Sequence, residues 1–531
     1  MIDQTSIEAP PAPVEPVNLP AISLRRLAKN SSANLLRLGA GWIILLIVPP
    51  MLVRLMDRSS YAAWMLVLQF GAYVTLFDGG LQLTVGRYVA RAEHERQEDY
   101  LGRILSSASA LLACGAAIVF GILAALALFL PRLFPSIPAA IAADAQSSLL
   151  IVSGSIALAF PASVLAGFYL GMEKNEITAI TGVSAKVLSA AGALWAAFHH
   201  EGIVRMSLWT ASGILLQPVV LLILNAHLEV WRYFQIRFVS FPVVKEFARF
   251  SAAMMVSQFS MLLITGLDLP IVAAFDFPNA GYYALATMVS NMLVVPHGAI
   301  LSTIVPSMSS MSLSQSSHRM GEILIRTTRI AATLLVLWTV PLMLGMPLFL
   351  RLWVGVSYAR HTLLLGELLV GAQVIRLTTM PYTLIGFSAG EQRQMLASPI
   401  AESIVNVVCS LALAKMLGAA GVALGTLIGA MCGVTLHFVV SMRRTRSITF
   451  ARKSLWWQGI VQPIGLAMLP VAVLAPLLIS VRSVISQVFI LFLATGSVAL
   501  LSWRFQLKSE ERIAILRLIR IERLDSRAVG V

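Results

Sequence analysis

The sequence predicts an all-α integral membrane protein with about fourteen transmembrane helices, in two six-helix lobes related by pseudo-two-fold symmetry plus two extra C-terminal helices. Three observations predict this fold class: the composition, a series of long apolar runs, and an internal repeat. The chain of 531 residues is 58% hydrophobic and 12% charged, whereas a soluble domain carries about 25% charged residues. A chain this apolar is expected to lie in lipid.

The internal repeat relates the two halves of the chain. The stretch IVPPMLVRLMDRSSYAAW (47–64) resembles DLPIVAAFDFPNAGYYAL (268–285), with proline and tyrosine at matched positions. LAGFYLGMEK (165–174) resembles LIGFSAGEQR (384–393) at nearly the same offset. A repeat of this length indicates an internal duplication. Because the offset spans six predicted helices, an even number, both copies cross the membrane in the same sense.

The apolar runs give the predicted helices in order. A helix needs about 20 apolar residues to cross a bilayer. Runs of that length fall at 33–55, 60–84, 104–130, 147–171, 177–198, 205–227, 251–274, 282–308, 330–350, 362–388, 396–417, 419–442, 456–480 and 484–505.

These runs divide the chain into segments, and the positive-inside rule places both termini in the cytoplasm, because Lys and Arg gather in the loops on that side. A proline-rich start without the features of a signal peptide indicates a disordered tail. The predicted segments are a disordered cytoplasmic tail (1–29), an N-lobe of helices 1–6 (30–227), a cytoplasmic linker (228–250), a C-lobe of helices 7–12 (251–442), helices 13 and 14 (456–505) and a basic cytoplasmic tail (506–531).

The composition and the loops argue against several function classes. The net charge of +14 is explained by the positive-inside pattern, so no nucleic-acid partner is predicted. The loops are too short to hold a catalytic domain, so the protein is not expected to be an enzyme. The three cysteines lie in apolar helices without metal-ligand spacing, so neither a metal site nor a cofactor is predicted.

Two cations lie inside the predicted helices and are the substrate-binding candidates. Lys186 is midway along helix 5, and Arg376 is near the middle of helix 10. An ionisable group costs about 2.5–3.5 kcal/mol at a helix centre, so it is expected to face protein or water. One interpretation is a water-filled cleft between the lobes, whose cations bind a phosphate or an acidic sugar. The other is an ion-pair network that only supports packing, such as Glu367 with Lys186 or Arg376.

Four further polar residues are candidates for ion coupling or for a gate. Asp268 lies in the outer third of helix 7 and Glu367 in helix 10. Glu402 and Asn406 are one turn apart in helix 11 and therefore share a face. The carboxylates could take up a coupling proton or cation, H⁺ or Na⁺, or could serve packing alone.

Asp78 and Arg87 form a further candidate pair at the inner part of helix 2, in the stretch FDGGLQLTVGRYVAR (77–91). One interpretation is a charge pair at the helix end. The other is a cytoplasmic gate that closes by pairing with the opposite lobe.

The stretches FDGGLQLTVGRYVAR, TGLDLPIVAAF followed by NAGYYALA, and LGAAGVALGTLIGA (417–430) resemble the polysaccharide transporter family. That family includes the O-antigen repeat-unit flippases and belongs to the multidrug/oligosaccharidyl-lipid/polysaccharide exporter superfamily. The resemblance covers nearly the whole chain. It implies translocation of undecaprenyl-diphosphate-linked sugar units across the bacterial inner membrane, and a lumen in which Lys186, Asp268 and Arg376 would lie.

The expected partners are therefore the lipid-linked oligosaccharide, membrane lipids, and a polysaccharide polymerase with its assembly proteins. The lipid II flippase branch has cavity-facing arginines in its first helix, and this chain has none between Gly39 and Val53. Two alternatives remain open: a cation-coupled exporter of small molecules of the multidrug type, and a non-transporting scaffold of a polysaccharide assembly complex.

Overall fold

The computed structural model describes residues 24–74, 81–95, 98–227, 233–302, 317–389 and 391–513, and every regular element within these ranges is helical. The candidate Asp78 lies outside the described residues. The helices of the first half are α1 (Leu24–Leu55), α2 (Arg58–Ala72), α3 (Leu81–His94), α4 (Glu98–Leu133), α5 (Ala139–Ala159), α6 (Ser163–Gly171), α7 (Asn175–Phe198) and α8 (Gly202–His227).

The second half begins with α9 (Phe241–Met261), so part of the predicted linker is helical. It continues with α10 (Asp268–Ser302), α11 (Ser317–Trp353), α12 (Val356–Thr378), α13 (Met380–Ser388), α14 (Gln392–Leu436), α15 (Arg452–Trp456), α16 (Gln462–Ser480) and α17 (Val484–Leu501). Single π-helical turns follow α9 (Leu262–Gly266), α14 (His437–Ser441), α15 (Trp457–Val461) and α17 (Ser502–Gln506).

The chain is a multi-pass membrane protein. Within the described residues, ten helices are long and apolar enough to cross a membrane, or eleven if the bent pair α12 and α13 counts as one span. Two of these stretches, 259–298 and 394–444, have 40 and 51 residues, far more than the roughly 20 that one crossing needs. Each contains a kink, at Asp276 and at Gly418, where the sequence predicts two separate helices. The number fourteen stays a prediction.

Each half packs mainly within itself. In the first half, α7 lies against α1 and α8, and α5 lies against α8. In the second half, α10 lies against α12 and α14, and α11 against α12. The halves meet where α2 packs on α10. The α16–α17 pair packs together and against α11, outside the two repeated halves, as the duplication predicts.

The repeated stretches adopt the same local structure. The stretch LAGFYLG forms the end of α6, and the stretch LIGFS forms the end of α13. Both helices have nine residues. Each is followed at once by a long helix, α7 and α14. The sequence repeat therefore corresponds to a repeated structural element.

The end of the bundle that the sequence predicts to be cytoplasmic is held by loop contacts. Ser106 Oγ donates to the carbonyl oxygen of Tyr233 at 2.7 Å, and the amide of Ser240 donates to Ser107 Oγ at 2.9 Å. These bonds attach the linker to α4. At the same end, the Glu391 carboxylate accepts from the amides of Ser447 and Arg446, and these bonds lower its pKa.

Candidate functional site

A cavity of about 450 Å³ lies among helices of the first half, where the first half meets the second. Its walls come from α1, α2, α7 and α8, and Met288 of α10 is the one lining residue from the second half among the described residues. Apolar and aromatic side chains such as Leu45, Trp64 and Met65 form most of the wall. A neighbouring cavity of about 420 Å³ shares Leu68, Thr210 and Ile214 with it.

Lys186 is the one charged residue among the described residues that line this cavity. It lies midway along α7, and its side chain is exposed. Its neighbours on the wall, Ala185, Ser189 and Ala190, are small and leave room beside the amine. An ammonium group on an apolar, low-dielectric wall attracts anions more strongly than it would in water.

Arg376 does not line this cavity and lies instead in an ion pair within the second half. Its Nε donates to Glu402 Oε1 at 2.6 Å, and its Nη1 donates to Gln373. The two charged side chains are 15% and 7% exposed. Glu367 is half-buried, and no salt bridge between it and either Arg376 or Lys186 occurs among the described residues. The acidic partner of Arg376 is therefore Glu402.

Asp268 begins α10 and is buried, with 5% of its surface exposed. Its Oδ2 accepts hydrogen bonds from Tyr283 Oη at 3.1 Å and from Thr426 Oγ1 at 2.9 Å. Its Oδ1 has no hydrogen-bond partner within the described parts of the chain. A buried carboxylate is stable when it is protonated or paired with a cation.

A chain of hydrogen bonds leads from Asp268 to Asn406. Thr426 Oγ1 also lies 3.0 Å from the carbonyl oxygen of Val422. Ser410 Oγ donates to Asn406 Oδ1 at 2.8 Å and lies 3.4 Å from that same carbonyl oxygen. The oxygen atoms of this group, which we call the Asp268 cluster (Asp268, Asn406, Ser410, Val422 and Thr426), are the ligand type that a hard cation prefers. No group of three or more His, Cys, Asp or Glu side chains suited to a metal is found among the described residues.

The backbone explains why the cluster forms there. α14 reverses at Gly418, whose φ of 57° is a left-handed conformation that glycine adopts readily. The reversal brings Gly429 so close to Asn406 that an added Cβ would lie 2.8 Å from its Cβ. The two segments of α14 can therefore approach closely enough for Ser410 Oγ of one segment to contact the carbonyl oxygen of Val422 in the other.

The π-helical turn Leu262–Gly266 connects the Asp268 cluster to the first half. Asn406 Nδ2 donates to the carbonyl of Ile264 at 2.6 Å within this turn. From the other half, Gln69 Nε2 and Tyr73 Oη donate to the carbonyl of Gly266. The turn is thus bonded to the Asp268 cluster on one side and to α2 on the other.

Contacts between the halves also close the end opposite the predicted cytoplasmic one. Arg58 Nη2 donates to Asn279 Oδ1 at 3.0 Å, and its Nε donates to the carbonyl of Pro278. Its guanidinium carbon lies 4.5 Å from the ring centroid of Tyr282. Trp353 Nε1 donates to the carbonyl of Leu46 at 2.8 Å.

At the predicted cytoplasmic end, the halves are joined by Tyr88, the residue that follows the gate candidate Arg87. Arg87 itself is exposed. Tyr88 donates a hydrogen bond to Glu246 and packs its ring against Phe247. Tyr88 therefore makes the contact with α9.

Sequence reasoning missed several members of the site, namely Gln69, Tyr73, Gln373, Tyr283, Ser410 and Thr426. They are uncharged, so a search for charges in apolar runs does not find them. Tyr283 and Thr426 do lie in the stretches NAGYYALA and LGAAGVALGTLIGA that carry the family resemblance.

Comparison with solved structures finds proteins of the same fold. The chain is similar to the lipid II flippase MurJ in an inward closed conformation, with a TM-score of 0.65 and 15% identity over 90% of this chain and 99% of that one. It is also similar to an inward-facing multidrug resistance MATE family transporter of the MOP superfamily, with a TM-score of 0.61 and 15% identity over 79% and 98% of the chains.

A third similar structure is a MOP superfamily transporter from Pyrococcus furiosus, with a TM-score of 0.54 and 16% identity over 81% of this chain and 96% of that one. No curated protein sequence matches the chain. Residues 27–312 match the model of the family described as polysaccharide biosynthesis protein. That range covers more than half of the sequence, so the chain belongs to the polysaccharide biosynthesis protein family and has the fold of the MurJ and MATE transporters.

Proposed function

We propose that this protein translocates polyprenyl-diphosphate-linked oligosaccharide units across the bacterial inner membrane by alternating access. The observation that carries the proposal is the position of Lys186, the one cation among the described residues that line the apolar cavity at the border with the second half. A diphosphate is the anionic part of such a substrate, and a lysine ammonium binds phosphate as a point charge. The polyprenyl tail would stay in the lipid while the head group crosses.

The size of the cavity indicates that the halves must separate for the substrate to enter. Its volume of about 450 Å³ lies in the lower part of the range of about 300–1,000 Å³ typical of drug-sized ligands. An oligosaccharide with its diphosphate needs more space. Rocking of the two halves about their contact between α2 and α10 would provide it.

The Asp268 cluster is the proposed coupling site. Asp268 Oδ1 is buried and unpartnered among the described residues, so a proton on this carboxylate, or Na⁺ held by it and the neighbouring oxygens, would satisfy it. The bonds through Ile264 and Gly266 give this binding event a direct route to α2. Arg376 and Glu402 would then support packing beside this site rather than contact substrate.

Both termini would lie in the cytoplasm, and the chain would work with a polymerase and assembly proteins without performing chemistry itself. The positive-inside pattern supports the orientation, and the family match supports the pathway.

Substitution of Lys186 in cells tests the proposed function. Lys186→Gln removes the cavity charge and should reduce surface polysaccharide at least tenfold in a deletion strain, at unchanged protein abundance in the membrane. Lys415→Gln is the matched control, because Lys415 is exposed on α14 and does not line the cavity. Wild-type polysaccharide in the Lys186→Gln strain would contradict a role for this residue in transport.

A cation-coupled exporter of small molecules is the second candidate, favoured by the aromatic and apolar wall that includes Tyr61 and Trp64. Lys186 would repel a cationic drug in this cavity. Drug-susceptibility profiles of the deletion strain separate the candidates, because only an exporter predicts increased susceptibility that the restored gene corrects. If the protein is a non-transporting scaffold, a variant that cannot transport should still give normal amounts of surface polysaccharide.

A further inference from the structure

A further cavity lies away from the contact between α2 and α10. Its volume is about 750 Å³. It is bounded by the first turns of α11, by α15 and its π-helical turn, and by the segment after α17 that contains Lys508 and Glu511. We call it the α11–α15 cavity. Its wall carries four basic residues, Arg319, Arg326, Arg329 and Lys508.

Arg329 anchors the α11–α15 cavity and is 3% exposed. Its Nη1 donates to Gln458 Oε1 at 2.8 Å, and its Nη2 contacts Glu511 Oε1. Its Nε is buried and has no acceptor among the described residues. A buried guanidinium donor without an acceptor is costly, so an additional acceptor at this wall would be stabilising.

The charges at the wall do not balance. Arg326 Nε also contacts Glu511 Oε1, at 3.2 Å, so two guanidinium groups share one carboxylate. The other oxygen of Glu511 accepts from the amide of Lys508 at 2.9 Å. The other two carboxylates of the wall, Glu322 and Glu510, are exposed and better screened. Over the whole wall, four basic residues face three carboxylates, so the wall carries a net charge of +1.

The surroundings of the α11–α15 cavity match the border of a membrane. Trp456, Trp457 and Phe505 are 51%, 58% and 59% exposed beside it, and tryptophan is enriched at the level of lipid head groups. The positive-inside pattern places this end of the bundle in the cytoplasm, where the leaflet carries anionic lipid.

We propose that the α11–α15 cavity binds a phosphate-bearing anion, which completes the hydrogen bonding of Arg329 and fastens the segment after α17 to α11. The phosphate could come from the head group of an anionic phospholipid or from free phosphate. The volume accommodates a head group as well as a bare ion. Neither source is the transported substrate, so the proposal does not depend on the proposed function.

The test measures binding by the purified full-length protein. Native mass spectrometry and thermal unfolding in detergent would compare dioleoylphosphatidylglycerol, dioleoylphosphatidylcholine and inorganic phosphate. The variant is Arg326→Gln with Lys508→Gln, since the Arg326 side chain is 54% exposed and Lys508 is exposed, so folding should survive. Arg452→Gln with Lys453→Gln is the matched control, because both residues are exposed and do not line the cavity.

Phosphatidylglycerol should bind more tightly than phosphatidylcholine, and the variant should lose affinity roughly fivefold for each cation removed. The control should bind as the wild type does. If inorganic phosphate alone raises the unfolding temperature of the wild type and not of the variant, the anion is free phosphate. If only phosphatidylglycerol raises the unfolding temperature in this way, the bound anion is a lipid head group. Equal binding of every probe by variant, control and wild type would overturn the proposal.

Discussion

Asp268 has one carboxylate oxygen bonded to Tyr283 and Thr426 and one buried oxygen without a partner among the described residues. Asp268→Asn keeps the shape and removes the charge. We expect normal amounts of folded protein, because a buried charge is itself costly, but transport that no longer responds to an ion gradient. The measurement is the translocation rate in proteoliposomes with an imposed Na⁺ or pH gradient.

Asp144→Asn provides the control for this prediction, since Asp144 is an exposed carboxylate of α5. Its transport should retain the gradient response of the wild type. A response to only one of the two gradients in the wild type would identify the coupling ion. An unchanged response in Asp268→Asn would show that coupling takes place elsewhere.

Arg376 and Glu402 form a mostly buried ion pair, so removal of either charge alone should lower the stability of the protein. Arg376→Met or Glu402→Gln alone leaves one charge without its partner and should destabilise the protein by about 3–5 kcal/mol. The double variant leaves neither charge and should recover much of that loss. Thermal unfolding of the four proteins in detergent gives the double-mutant cycle, and additive losses would contradict a direct pairing.

The sequence could identify the charged residues in the apolar runs but could not assign their partners. Glu367 and Arg376 are nine residues apart on one helix, which turns about 100° per residue. They therefore lie roughly on opposite faces of α12, and Glu402 from α14 takes the place predicted for Glu367. The contact between α12 and α14 depends on tertiary packing, which spacing along the chain does not specify.

At the scale of elements, the π-helical turn Leu262–Gly266 is the link between the halves that can be tested most simply. Tyr73→Phe removes one of the two hydrogen bonds to the Gly266 carbonyl. We expect a loss of about 0.5–1.5 kcal/mol in stability, measured by thermal unfolding in detergent.

Tyr169→Phe is the matched control for this loss. The Tyr169 hydroxyl is buried in the first half without a partner among the described residues, so its removal should be neutral or stabilising. Equal losses in the two variants would mean that the hydroxyl of Tyr73 does not connect the halves.

Helix positions follow from hydropathy, and so do the breaks that separate two apolar runs. The apolar runs predict the membrane-crossing helices because lipid requires long apolar segments with satisfied backbones. The kinks at Asp276 and Gly418 lie between consecutive apolar runs, so the sequence predicts their positions, although each kink falls inside one helical element. The π-helical turn before Asp268 adds a residue to the helix without a change in hydropathy, so no apolar pattern reveals it.

At the scale of the whole molecule, alternating access requires the contacts of Arg58 with the second half to break. Arg58→Ala removes two hydrogen bonds and a cation–π contact, so it should favour a form open to the outside. Ser189→Cys on the cavity wall, with Cys114, Cys409 and Cys432 replaced by Ser, reports on access.

Labelling of that cysteine by an impermeant maleimide from outside the cell should rise about tenfold in Arg58→Ala, since each lost bond contributes about 0.5–1.5 kcal/mol. Arg482→Ala is the control, because Arg482 is exposed and lies on the same predicted side. Unchanged labelling in Arg58→Ala would mean that this contact does not hold the outer end closed.

The most direct measurement is translocation of a fluorescent polyprenyl-diphosphate-linked oligosaccharide by the purified protein in proteoliposomes. The wild type and Lys415→Gln should move the labelled lipid between leaflets, and Lys186→Gln should do so at least tenfold more slowly. Equal rates in protein-free vesicles and in vesicles with the wild type, or in the wild type and Lys186→Gln, would contradict a flippase whose cavity cation carries the diphosphate.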